Sequence, residues 1–197
     1  TSEEVYADVM MKKTLRIVLS AAIQHESVKI RHWDLKTAFL NAPLNKRVYA
    51  RQAPGYEKEG VVLLQVMKAI YGLPEAMSLF ISKFKADLLG MGFKQSLADP
   101  GLYVLREGDD FMWMPTVVDD MYPVYTNDSL GKKVFDQLAA IYRISDRGQL
   151  SSSLGIRFNI DVSAGVIEMD QQDYKKQLLE EVNMLECRSV STPAQVK

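Results

Sequence analysis

Two adjacent carboxylates, Asp119 and Asp120, stand at the summit of residues 111–126, F-M-W-M-P-T-V-V-D-D-M-Y-P-V-Y-T. One apolar run climbs to Val117-Val118 before them and another leads away. Asp is a poor strand former and neighbouring like charges repel, so such a pair at the tip of a buried hairpin requires a cation to neutralise it. An exposed acidic turn is the plainer alternative, because turn positions suit Asp. A second apolar-patterned stretch, V-K-I-R-H-W-D-L-K-T-A-F-L at 28–40, shifts the balance, since it too ends on an acid, Asp34. Strand alternation places Val28, Ile30, His32 and Asp34 on one face. Capping of a short following helix is the other role open to Asp34. If the two strands neighbour each other, three carboxylates converge at one sheet edge, and they cannot all stay ionised without cations between them. Mg²⁺ suits such a site, because it takes hard oxygen ligands, keeps several waters and completes its shell with substrate phosphates. Two ions about 3.5–4 Å apart activate an attacking hydroxyl and stabilise a leaving pyrophosphate. That is the chemistry of in-line phosphoryl transfer.

The elements that must position these acids follow from the rest of the chain. Its 197 residues suit one domain, and an apolar fraction of 47% suits a sizeable core. A net charge of −1 and a pI near 6.1 exclude a chain that binds nucleic acid by bulk charge alone. Cys187 is the single cysteine, which excludes an internal disulfide framework or a multi-cysteine zinc site and fits a reducing, intracellular setting. No apolar run approaches the roughly 18 residues of a membrane span. The chain begins at Thr1, without a methionine, as a fragment or a processed product would.

Residues 12–25 read as a helix, with Leu15, Leu19 and Ile23 repeating on one face. Short strands follow at 48–52 and, as a buried strand, at 61–67. A helix over 75–89 carries Met77, Phe80, Ile81, Phe84 and Leu88. A strand at 102–106 leads through Glu107-Gly108-Asp109-Asp110, a solvated turn, into the central hairpin. A helix over 129–142, a hairpin joined at Ser163-Ala164-Gly165, and a last helix over 171–186 that buries Tyr174, Leu178, Val182 and Leu185 complete the pattern. The tight central hairpin implies antiparallel pairing. The expectation is an α+β fold, an antiparallel sheet with helices packed on one face.

The order D-L-K-T-A-F-L-N (34–41), Pro54-Gly55-Tyr56, K-A-I-Y-G-L (68–73), Asp99-Pro100, V-V-D-D (117–120), S-L-G-I (153–156), Gln171 with Tyr174, and S-T-P (191–193) resembles a copia-type LTR-retrotransposon reverse transcriptase. Each motif is weak alone; their common order across nearly the whole chain is specific. The resemblance implies a polymerase palm with partial fingers in a single reverse-transcriptase domain over 1–197. It implies Asp34, Asp119 and Asp120 as the catalytic, metal-binding triad, with the main-chain carbonyl of Leu35 completing one metal's shell. Two Mg²⁺ ions are the implied cofactors, with Mn²⁺ able to replace them. Phe39 falls where the family places the aromatic that excludes a ribose 2′-hydroxyl; a core phenylalanine on a helical turn is the other reading. Ala38, Phe39 and residue 75 are the implied nucleotide contacts. Tyr71 and Gly72 resemble the segment that holds template and nucleotide, and Leu154, Gly155 and Ile156 the hairpin that grips the primer end. Deoxynucleoside triphosphates and an RNA or DNA primer–template are the implied partners.

The chain departs from the family pattern in places. Val117 stands where the family usually has tyrosine, and Phe80 replaces a usual tryptophan. Glu75 replaces a glutamine, and its charge would repel a triphosphate if poorly screened. Pro115 and Pro123 flank the Asp pair, where each lacks a ladder donor. Further basic fingers residues are expected before Thr1, and thumb and RNase H regions after Lys197. Two readings therefore stand: a working RNA-directed DNA polymerase, or a retroelement-derived, inactive palm that meets protein partners as a structural subunit of a larger assembly. A general nucleic-acid-binding module is weaker, for want of an aromatic-basic stripe.

Overall fold

The structure, a computed structural model, describes residues 9–188; the Ser191-Thr192-Pro193 motif lies outside them. The described residues open with α1 (Lys12–Ala22) and β1 (Lys29–Leu35), then a single 3-10 turn at Ala38–Asn41. The hairpin β2 (Pro43–Ala50) and β3 (Leu64–Lys68) precedes α2 (Ala76–Gly90) and β4 (Lys94–Gln95). Strands β5 (Leu102–Glu107), β6 (Asp110–Val117), β7 (Asp120–Met121) and β8 (Val124–Tyr125) lead to α3 (Asp128–Ile141). Then come β9 (Ile144–Gln149), β10 (Ser152–Ser153), β11 (Ile156–Asp161), β12 (Val166–Asp170) and α4 (Gln172–Glu181). The main sheet runs β4-β5-β6-β7-β1, with β8 continuing β7 between β6 and β1, and β9 on the outer side of β1. All of its pairings are antiparallel. The α+β class and the antiparallel central hairpin are as expected.

Strand alternation divides the core in two. Trp33, Leu35, Met112, Met114 and Met121 face Phe80, Phe84 and Leu88 of α2 and Val134 and Leu138 of α3. Val28, Ile30, Tyr122 and Val124 face Leu15, Val18, Leu19 and Ala22 of α1, with Phe158 of β11 beside them. Helices therefore cover both faces, and the expectation of helices on one face holds for α2 and α3 but not for α1. A sheet whose strands bury both sets of side chains needs a layer on each side.

Three further expectations are corrected. The run at 61–67 is not a buried strand: β3 begins at Leu64 and pairs with β2 in a two-stranded arm that leaves Leu64 and Met67 exposed among the described residues. The last helix is shorter than 171–186, and Tyr174, Leu178, Val182 and Leu185 are all exposed. The Asp109-Asp110 pair is more than a solvated turn. Asp110 opens β6, and its carboxylate accepts hydrogen bonds from Thr126 Oγ1 at 3.0 Å and Asn127 Nδ2 at 2.8 Å. Asn127 in turn caps α3 by accepting from the Ser129 N–H at 2.8 Å.

The Asp99-Pro100-Gly101 turn explains how α1 is held on the sheet. Met11, at the start of α1, has no side-chain cap of its own. The buried Asp99 supplies it from a distant part of the chain, accepting from the Met11 N–H at 2.9 Å and from Thr14 Oγ1, and from the Gly101 N–H at 2.9 Å. An anion at a helix N-terminus satisfies orphan donors and opposes the helix dipole. Among the described residues, no helix is long and apolar enough to cross a membrane.

Candidate active site

The hairpin tip is built by register. Val117 pairs with Asp120, which leaves Val118 and Asp119 as a two-residue turn. Val118 sits at φ 53°, the left-handed region that tight hairpins require at their first central position. For a β-branched residue this costs about 1–3 kcal/mol and persists only where the surroundings impose it. Thr37 and Leu154, at φ 51° and 52°, lie in two other motif stretches, D-L-K-T and S-L-G-I. Backbone strain thus falls on three of the sequence motifs.

The two prolines do not open the ribbon. Thr116 pairs with Met121 and Trp113 with Val124, so the β6 register runs past both prolines without an inserted residue. The Pro115 carbonyl accepts from the Tyr122 N–H at 2.9 Å, and the Pro123 carbonyl from the Arg31 N–H at 3.0 Å. Each proline removes one ladder donor and keeps its acceptor in use.

Beside this hairpin lies β1. Asp34 is the direct cross-strand partner of Asp120, and the Leu35 N–H donates to the Asp119 carbonyl at 2.8 Å. Directly opposed residues on antiparallel strands share a face, and like charges so placed repel. The chain answers with its own donors. Lys36 Nζ lies 2.5 Å from Asp34 Oδ2, and Arg147 Nη2 lies 3.2 Å from Asp34 Oδ1. Ser145 Oγ donates to Asp34 Oδ2 at 3.3 Å. His32 Nε2 donates to Asp120 Oδ1 at 2.6 Å. The His32 ring packs on Tyr122, whose hydroxyl is hydrogen-bonded to Ser153 Oγ at the end of β10.

These contacts set the acids apart from one another. Burial works against ionised Asp34, but hydrogen bonds from Lys36 and Arg147 outweigh it and hold the carboxyl below its ordinary range. Asp119 moves the other way. Burial raises it, and the charges of Asp120 and Asp34 raise it further. Burial also pushes the Tyr122 hydroxyl up, which keeps it a proton donor.

The donor set fits a divalent cation in kind: three hard carboxylates at one end of the sheet, one of them, Asp119, disfavoured as an anion by burial and by the charges of its two neighbours. Closure is what it lacks. Among the described residues no three acidic, histidine or cysteine side chains are already disposed around a common point, and both oxygens of Asp34 are engaged by cations.

The remaining sequence-predicted residues fall into other groups. Ala38 and Phe39 are buried in the cluster on the α2–α3 face, with the Phe39 ring 4.5 Å from Tyr71 and 6.3 Å from Phe80. Tyr71 is exposed and covers Phe39, and Gly72 turns the chain at φ 93°. Glu75 is paired with Lys46 Nζ at 2.8 Å, which holds its carboxyl below the usual range. The expected bare charge at this position is therefore compensated. Leu154, Gly155 and Ile156 line a groove of about 330 Å³ with Gln171 and Tyr174. Sequence reasoning did not single out Lys36, Arg147, Tyr122 or Ser153. It placed His32 on the Asp34 face without giving it a role, although that parity was the signal that could have found it.

A family described as Reverse transcriptase (RNA-dependent DNA polymerase) matches residues 1–196. The chain is 32% identical over 192 residues to the Retrovirus-related Pol polyprotein from transposon RE2 of Arabidopsis thaliana, and 31% identical over 192 residues to that from transposon RE1. Each alignment covers 96% of this chain and 13% of the relative. The Retrovirus-related Pol polyprotein from transposon TNT 1-94 of Nicotiana tabacum is 27% identical over 194 residues, 97% of this chain and 14% of the relative. The chain thus spans a small part of the curated relatives it matches.

Proposed function

The chain belongs to the reverse transcriptase (RNA-dependent DNA polymerase) family, as a copia-type reverse transcriptase domain, and from that premise we propose that Asp34, Asp119 and Asp120 are its catalytic carboxylates in RNA-directed DNA synthesis. The observation that carries this reading is the pairing of Asp34 with Asp120 beside the Leu35–Asp119 backbone hydrogen bond. It supports a polymerase palm, the core of a single reverse-transcriptase domain with partial fingers. It favours the working polymerase over the inactive scaffold, since no ligand residue is missing and the prolines leave the hairpin in register.

Asp34 and Asp120, on adjacent strands, Asp119, in the turn, and the main-chain carbonyl of Leu35 are the groups that would hold the ions. With two Mg²⁺ ions, or Mn²⁺ in their place, held by these groups, the site would gain the charge needed to activate the primer 3′-hydroxyl and to stabilise the leaving pyrophosphate. His32 fixes the Asp120 carboxylate by its hydrogen bond. Phe39, backed by Phe80, supports a deoxyribose without room for a 2′-hydroxyl once Tyr71 turns toward template and nucleotide with Gly72. Ala38 and Glu75 border the nucleotide, and Leu154, Gly155 and Ile156 hold the primer end.

Primer extension on an RNA template by the polyprotein that carries this domain, with Mg²⁺ and deoxynucleoside triphosphates, tests the reading. Extension that disappears in Asp119→Asn supports it; extension that survives the substitution, or fails in the unaltered protein, contradicts it. The Lys46–Glu75 pair gives a finer expectation. Glu75→Gln removes the carboxylate and frees Lys46 for phosphate oxygens, so KM for the nucleotide should fall about two- to fivefold with kcat little changed. Steady-state extension kinetics measure it.

A further inference from the structure

Asp34 and Asp119 are treated differently by the fold. Asp119 has burial and like charges against it, whereas Asp34 is gripped by two full cations. Lys36 follows β1 directly. Arg147 arrives by a special device. On β9, Trp33 pairs with Asp146 and Arg31 with Gln149, so Arg147 and Gly148 together stand opposite the single residue His32. Two residues against one is a β-bulge, a feature that re-aims side chains beside functional sites. Gly148 takes φ 95° at the bulge, and its N–H donates to Asp146 Oδ1 at 2.9 Å. Arg31 braces the same carboxylate through Nη2 at 2.8 Å and Nε at 3.3 Å. The guanidinium of Arg147 is thereby turned onto Asp34 Oδ1.

We propose that Arg147, with Lys36, is a built-in counter-ion of Asp34 that a divalent cation must displace, so that this side chain sets how tightly the domain takes up metal. The inference rests on the reading of Asp34 as a metal ligand. A guanidinium on Oδ1 and an ammonium on Oδ2 occupy the oxygens that a metal needs, and their charge repels an approaching dication. Because half of the Arg147 side chain is exposed, it can leave for solvent without opening the core. Asp34 is thus held in place before metal arrives, at the cost of weaker metal binding.

The test is Mn²⁺ titration, with free Mn²⁺ measured by electron paramagnetic resonance at fixed pH and ionic strength. Arg147→Met should tighten binding about three- to tenfold. Arg143→Met, which removes the same charge from an exposed residue that makes no side-chain ion pair with Asp34, should change it less than about twofold. In an Asp34→Asn background the Arg147→Met gain should vanish, because coupled residues lose their effect once the partner is gone. The melting temperature of each variant reports folding, and Arg147→Gln replaces Arg147→Met if the latter does not fold. An unchanged affinity in Arg147→Met, or a gain that persists in full without Asp34, overturns the inference. Two failures are separable. If the wild type binds Mn²⁺ and Asp119→Asn abolishes binding while Arg147→Met leaves it unmoved, only the counter-ion role falls. If neither the wild type nor Arg147→Met binds Mn²⁺, the metal-site reading falls and this inference with it.

Discussion

Asp119→Asn is expected to abolish primer extension, by about 10³-fold or more, while leaving the domain at least as stable as before. On the proposed reading, the activity loss follows from removing an anionic metal ligand from a site where charge placement is most of the catalysis. The stability result follows from the environment of Asp119. Burial and the neighbouring charges of Asp120 and Asp34 raise its pKa above the ordinary 3.8, so its ionised form is a cost to the folded state. For an acid raised in this way, the folded state binds more protons than the unfolded chain between 3.8 and its folded value, and stability falls as pH rises through that window. Asparagine is free of that cost. The melting temperature of Asp119→Asn should therefore match or exceed the wild type above the folded pKa, and the gain should vanish as pH falls below 3.8, where wild-type Asp119 is also neutral. Thermal melts across pH, paired with extension assays, measure both halves. Loss of activity together with loss of stability would mean that Asp119 is structural.

Gly101→Ala is the second large effect, and it acts on the fold. A Cβ at Gly101 would lie 2.2 Å from the Met10 N and 2.4 Å from the Met10 Cα, both backbone atoms that cannot rotate aside. The same few residues hold the Asp99 cap on α1 and the Thr116 N–H and Oγ1 donations to the Gly101 carbonyl at 2.8 and 3.1 Å. Moving Met10 to admit a methyl breaks that junction. The expected loss is about 3 kcal/mol or more, a fall in melting temperature of about 6–12 °C. Gly90→Ala is the control of opposite sign. It ends α2 with nothing within 4 Å of its Cβ position, and alanine there should stabilise by about 0.5 kcal/mol.

Much of the site could be read from local pattern. Alternation in 28–34 fixed the side of the strand on which Asp34 lies, and the apolar runs around Asp119-Asp120 announced a hairpin. Both are short-range signals with a period of two. What escaped was long-range. The Arg147 contact depends on a bulge, which leaves no periodic trace, and the Asp99 cap joins residues whose separation is 88 along the chain. Burial was misread wherever the pattern showed an apolar face but not its cover. The exposed β3 and α4 carry side chains that period alone assigns to a core, and period says nothing about which layers exist. The effect of the two prolines is likewise invisible to local pattern. A lost donor matters only by where its carbonyl and register fall, and here both stay in place.

The central claim is that Asp34, Asp119 and Asp120 close on shared divalent ions. An experimental structure of the domain with Mn²⁺, read by anomalous scattering, tests it directly. The account predicts manganese bound by oxygens of all three carboxylates, at roughly the 2.0–2.2 Å expected of a small hard dication, with Arg147 withdrawn from Asp34. Manganese bound elsewhere, or Asp34 still paired with Arg147 and Lys36 at saturating metal, would contradict it.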